Sequence, residues 1–224
     1  MLIELAGAPA AAGLFFIYVK DKYEKEPWKM LFLGLFFGVY TSAVILGAGR
    51  WLEWRFPHAE TPLYTAFVSS AGVEEAVKFI FLFFLIWFNR NFNEPLDGIV
   101  YGVFLSLGFA WVENILYVTH PILGGYGTAI TRALLSVPGH GLFGVQMGYH
   151  MGKARFEGRK RELLLAFFVP YLLHGLYNVF LLEEDMRFWI PFGALEIWLW
   201  VMGLRRIRLM QRISPFRQKK NRLA

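Results

Sequence analysis

Long apolar runs broken by short charged stretches dominate the chain. They cover roughly residues 2–19, 28–48, 63–88, 96–118, 129–151, 163–182 and 188–204. Most approach the ~20 residues a helix needs to cross about 30 Å of hydrocarbon. The pattern predicts an all-α, polytopic transmembrane helix bundle of about seven spans. It forms a single domain over 1–204, with a basic tail over 205–224. The first run lacks a basic stretch ahead of it, and its small residues, Gly7 to Ala12, lie inside it rather than behind it. It therefore reads as a retained helix and not as a cleaved signal.

Composition agrees with the pattern. The 224 residues are 56% hydrophobic, and the mean hydropathy is +0.42, well above soluble domains. The absence of cysteine excludes disulfides, thiol catalysis and thiolate metal sites. The net charge of +6 matters less than its distribution. Lys20, Lys22, Lys25, Lys29, Arg90, the stretch from Lys153 to Arg161 and the tail from Arg205 fall on one side of the seven runs. Only Arg50, Arg55, Arg132 and Arg187 fall on the other. The positive-inside rule makes the first side cytoplasmic, leaving the N-terminus outside and the C-terminus inside. On that rule the basic tail is a cytoplasmic anchor facing membrane lipids, and no nucleic acid is expected as a partner.

Polar residues that interrupt the apolar runs carry the chemistry. Glu74, Glu75 and Lys78 lie within five residues inside the third run. Each would cost about 2.5–3.5 kcal/mol or more in hydrocarbon. Glu74 and Lys78 are spaced i,i+4 and can pair. Glu75 lies about 100° round the helix and is expected to lack a local counter-charge. With the spans threaded alternately, Glu113 and Asn114, His140, and then His174 with Asn178 reach the same outer-leaflet depth as the glutamates. His174 and Asn178, four residues apart, share one face. His140, Gly144 and Gly148 form a small-residue stripe that permits close helix approach, and Pro138-Gly139 is expected to kink that span. A lone Glu–Lys pair or a lone histidine is commonly structural glue. Three carboxylates, two imidazoles and two carboxamides in one layer exceed that need. His58, His120 and His150 read as bystanders, and Trp111 as packing.

Two mechanisms suit this set. In one, a glutamate acts as general base on water with help from histidine, while His174 and Asn178 stabilise the oxyanion. In the other, Glu75, Glu113, His140 and His174 hold a divalent metal such as zinc. Both lead to hydrolysis of an amide within the membrane. The rival class is non-enzymatic: a membrane scaffold, or a cation-binding or transport protein. The apolar inner half, as in Phe79 to Phe84, argues against a through-path for ions.

The ordered set Glu74-Glu75-Ala76-Val77-Lys78, Phe109-x-x-x-Glu113-Asn114, His140 and His174-x-x-x-Asn178 resembles the PrsW family of intramembrane proteases. The first-loop run Lys20 to Pro27 is similar to that family too. The resemblance extends to CAAX prenyl endopeptidases and bacteriocin-immunity membrane proteases. Those carry Arg one position beyond Lys78 and His in place of Glu113. It implies a multi-pass peptidase of a bacterial or archaeal plasma membrane. Such a peptidase makes a site-1 cut near the extracytoplasmic side of a single-pass substrate of the anti-sigma-factor type. By this analogy Glu74 is the general base and Glu75 assists it. Lys78 holds the pair and Asn114 supports. Glu113 or His140 is the acid/base or metal partner, and His174 and Asn178 bind the oxyanion or the water.

Overall fold

The computed structural model describes residues 1–57, 59, 61–182 and 185–217. His58 and the tail residues Lys219, Lys220 and Arg222 lie outside the described residues. No strand occurs among those described. Helices follow the apolar runs closely: α1 (Leu2–Lys20), α2 (Trp28–Arg55), α3 (Pro62–Tyr64), α4 (Val73–Ile86), α5 (Pro95–Val118), α6 (Tyr126–Leu134), α7 (Ser136–Phe156), α8 (Arg161–Leu182) and α9 (Trp189–Ile213). A π-helical segment, Thr65–Gly72, joins α3 to α4. Four helices, α1, α2, α5 and α8, are individually long and apolar enough to cross a bilayer.

Helix α5 is the axis of the bundle. Its most apolar window is 72% buried, against 22% for α1 and 28% for α8. Pro95 opens it at a position where a missing N–H costs nothing. Asp97 reaches back to accept from the backbone N–H of Glu94 at 2.7 Å and of Asn93 at 2.8 Å. Leu96, Ile99, Val100, Val103 and Leu107 of α5 meet Met147 and Met151 of α7, Leu31 of α2 and Ile17 of α1 in one core. Outward-facing Phe15, Phe36, Phe84 and Phe88 are exposed, as expected of lipid-facing positions.

Lipid tails are as apolar as the side chains themselves, so helix association in a bilayer depends on close packing. The α5–α7 contact is the most extensive in the molecule. It is a seam of glycines: a Cβ on Gly148 would stand 2.0 Å from the Gly98 carbonyl oxygen, and one on Gly102 would stand 2.6 Å from that of Gly144. The stripe expected on the fifth run is this seam.

Two elements differ from the reading of the sequence. The fifth apolar run is not one kinked helix. It breaks at Leu135 (φ −116°, ψ −68°) into α6 and α7, and Pro138 falls in the tolerant first turn of α7. The basic stretch after residue 204 does not leave the fold at once, because α9 continues to Ile213 with Ile207 and Met210 buried.

Candidate active site

The π-helical segment ends at Gly72, and α4 begins with Glu74 and Glu75 in its first turn. Lys78, one turn on, is completely buried. Its Nζ donates to Glu75 Oε1 at 2.9 Å and to Glu74 Oε2 at 3.3 Å, and lies 3.3 Å from His140 Nδ1. It also sits 4.2 Å from the centre of the Phe109 ring, on α5. This corrects one expectation: Glu75 has a local counter-charge, and Lys78 approaches it more closely than it approaches Glu74. Both i,i+3 and i,i+4 partners lie within reach of a long flexible side chain.

Two histidines close the cluster. His174 Nδ1 lies 2.9 Å from Glu75 Oε1, and its Nε2 stands 4.0 Å from Glu74 Oε2. In the neutral ring, Nδ1–H donates to Glu75 and Nε2 is left with a lone pair towards Glu74. The ring stacks on Phe143 with centroids 4.8 Å apart and meets the His140 ring edge-on. His140 receives the Lys78 ammonium at Nδ1, so its Nε2–H donates to Glu113 Oε2, 2.9 Å away.

Glu113 extends the network outward. Its Oε2 accepts from Arg132 Nη2 at 2.6 Å, and Arg132 Nε donates to Asn114 Oδ1 at 2.9 Å. Asn114 therefore stands apart from the carboxylate pair. Its Nδ2 donates to the Ala6 carbonyl, and the residue ties α1, α5 and α6 together. Asn178 does not touch the glutamates either. It donates to Ser70 Oγ at 2.8 Å, and Ser70 donates to Glu74 Oε1 at 3.0 Å. Neither Ser70 nor Arg132 was singled out from the sequence. Ser70 stands four residues before Glu74, a spacing that permits the contact without singling it out. Arg132, inside an apolar run, was read only as a boundary charge.

The other histidines lie elsewhere. His150 is ten residues along α7 from His140, about 15 Å at a helical rise, and pairs with Glu162 and Arg206. His120 accepts from the backbone N–H groups of Ile122 and Leu123.

A cavity of about 590 Å³ borders the cluster. Glu74, Glu113, His140, His174, Asn178, Ser70 and Arg132 line it, together with Arg50 and Glu53 of α2 and Tyr177 of α8. Glu75 and Lys78 are sealed behind them, fully buried. The two adjacent glutamates therefore differ sharply: one meets a space large enough for water and a peptide, and the other is packed under it.

The donor set fits a divalent metal. Glu74, Glu75, His140 and His174 each offer a ligand atom within 4.8 Å of the others. Glu75 Oε2 is buried without a hydrogen-bond partner. Among the described residues, Lys78 and Arg132 are the Lys and Arg side chains in salt bridges with the three carboxylates Glu74, Glu75 and Glu113, so these pairs carry one more negative charge than positive. A mixed carboxylate and imidazole set suits zinc chemistry. The set differs from the expected one in a single member. Glu74 takes the place of Glu113, because Arg132 and His140 hold Glu113 away.

The family described as PrsW family intramembrane metalloprotease matches residues 26–204. The chain is 40% identical over 209 residues to a protein named Protease PrsW from Geobacillus kaustophilus, covering 92% of this chain and 91% of that one. It is 37% identical to Protease PrsW of Bacillus subtilis, covering 95% and 97%. It is 34% identical to Protease PrsW of Clostridioides difficile, covering 92% and 90%. No solved structure matches the chain. Matched along nearly its whole length by such relatives, this chain is a membrane peptidase and belongs to the PrsW family of intramembrane metalloproteases.

Proposed function

We propose that the chain hydrolyses a peptide bond in a single-pass, anti-sigma-factor-like membrane protein, near its extracytoplasmic side. The observation that carries this reading is the division between Glu74, which borders the cavity, and Glu75, which does not. Glu74 takes a proton from water as that water adds to the scissile carbonyl carbon. His174 Nε2, which keeps its lone pair, accepts from the attacking water, and Asn178 and Arg132, lining the same cavity, offer N–H groups that steady the resulting oxyanion. The protonated Glu74 then gives its proton to the leaving amide nitrogen, and the C–N bond breaks. Glu75 and Lys78 act from behind, holding His174 and Glu74 in orientation. Glu113 fixes His140.

Glu74, Glu75, His140 and His174 would hold the metal, for which zinc is the proposed identity. A divalent ion held there supplies Lewis acidity at the scissile carbonyl. The chain sits as a multi-pass protein in a bacterial plasma membrane, with seven spans, an external N-terminus and a cytoplasmic C-terminus. The distribution of Lys and Arg supports that orientation. A scaffold would have no use for a cavity of this size against its costliest charges.

The test is cleavage of a reconstituted single-pass substrate by wild type, Glu74→Ala and His174→Ala. Wild-type cleavage lost in both variants is the expected result. Full cleavage by both would end the proposal. Strong chelation should abolish activity and zinc should restore it, whereas activity that survives chelation removes the metal from the scheme.

A further inference from the structure

A second group of carboxylates lies at the other end of α5. Asp97 and Glu113 are sixteen residues apart on that helix, about 24 Å along its axis. Around Asp97 the loop between α1 and α2 folds back onto the start of α5. Glu24 and Glu26 of that loop and Asp97 each present a carboxylate oxygen within 4.8 Å of the others. Glu26 is 3% exposed and Asp97 is fully buried. Each of the three keeps one buried oxygen without a hydrogen-bond partner: Glu24 Oε2, Glu26 Oε1 and Asp97 Oδ1.

Glu24 also meets the Asn93 side chain, and Glu26 and Asp97 meet each other as a carboxyl pair. Glu26 Oε2 accepts from the Tyr101 hydroxyl. Asp97 Oδ2 accepts from two backbone N–H groups at the helix start. Lys25, the nearest cation in sequence, is turned away. Its Nζ donates to the Tyr18 carbonyl and lies 4.1 Å from the centre of the Tyr18 ring. Among the described residues, none of the three forms a salt bridge. Asp21 and Glu94, both buried, add further negative charge beside them. Buried carboxylates at this density require neutralisation by protons or by a cation.

We propose that Glu24, Glu26 and Asp97 form a binding site for a hard divalent cation of the Mg²⁺ or Ca²⁺ class, separate from the cluster at Glu74. The chemistry of the donors selects the ion. Three carboxylates with no imidazole favour a hard, oxygen-seeking cation, whereas the cluster at Glu74 mixes carboxylate with imidazole. The bound cation clamps the α1–α2 loop to α5, the helix whose opposite end carries Glu113.

Mn²⁺ is the probe, because its electron paramagnetic resonance signal counts free and bound ion directly. The full chain in detergent would be titrated in a His174→Ala background, which disables the histidine-containing cluster. One bound Mn²⁺, displaced by excess Mg²⁺ or Ca²⁺, is expected. Asp97→Asn in that background should weaken it about ten-fold or more, since affinity follows the number of charged ligands. Glu24→Gln, a half-buried change away from the helix cap, should weaken it in the same direction and guards against misfolding of the Asp97 variant. The proposal is overturned if no displaceable Mn²⁺ binds, or if Glu24→Gln leaves the bound Mn²⁺ unchanged.

Discussion

Ser70 is the smallest residue in the network and joins two parts of it. Its hydroxyl donates to Glu74 Oε1 and accepts from Asn178 Nδ2, so it fixes the cavity-lining glutamate relative to α8. A hydrogen bond of this kind contributes ~1 kcal/mol. Ser70→Ala should therefore lower kcat/KM by about ten-fold, since two bonds are lost and 1.36 kcal/mol is a decade in rate. The unfolding temperature should move little, and a steady-state assay with a calorimetric scan would separate the two effects. Lys78→Met is expected to act differently. Two buried carboxylates would lose their shared cation. Breaking such a pair costs about 3–5 kcal/mol, so the variant should unfold at markedly lower temperature and not merely lose rate. Glu74, Glu75, Lys78, Glu113 and the two histidines were legible in the sequence because ionisable side chains inside apolar runs need a reason, whereas Arg132 passed as a boundary charge. Ser70 was not legible, because a serine in a membrane helix ordinarily bonds its own backbone. The direction of the Lys78 pairing was also hidden, since the spacing allows both glutamates.

The glycine seam and the two irregular segments decide whether these side chains meet. Gly148 is the tightest point: an added methyl there would stand 2.0 Å from a backbone oxygen of α5. Gly148→Ala must push α7 from α5, and with it His140 from Glu113. Overpacking of this kind costs ~1–3 kcal/mol. The expected outcome is a lower unfolding temperature together with loss of cleavage, both read on the purified protein. Gly47→Ala, where nothing lies within 4 Å, is the matching control and should be silent. Helix positions and the seam could be read from hydropathy and small-residue spacing. The break at Leu135 could not, because residues 129–151 stay apolar across it. That break lets α6 deliver Arg132 to Glu113. The π-helical stretch was equally invisible, since Thr65–Gly72 carries no composition that separates it from an α-helix.

For the molecule as a whole, the proposed orientation in the bilayer rests on charge asymmetry and is open to direct measurement. The chain has no cysteine, so single cysteines can be introduced without background. Ile122→Cys, at a position 86% exposed beyond the end of α5, should react with an impermeant maleimide on intact cells. Arg159→Cys, in the turn between α7 and α8, should react only after lysis. The reverse pattern would invert the topology and move the cut to the cytoplasmic side. Lys78 has a consequence for biogenesis. It gives the two adjacent glutamates an internal counter-charge encoded in the chain itself. The segment that carries them can therefore enter the bilayer and fold before any ion has been delivered. On the proposed metal scheme, synthesis and insertion are thereby uncoupled from metal supply, and the chain purified without the ion should be folded but inactive until it is added.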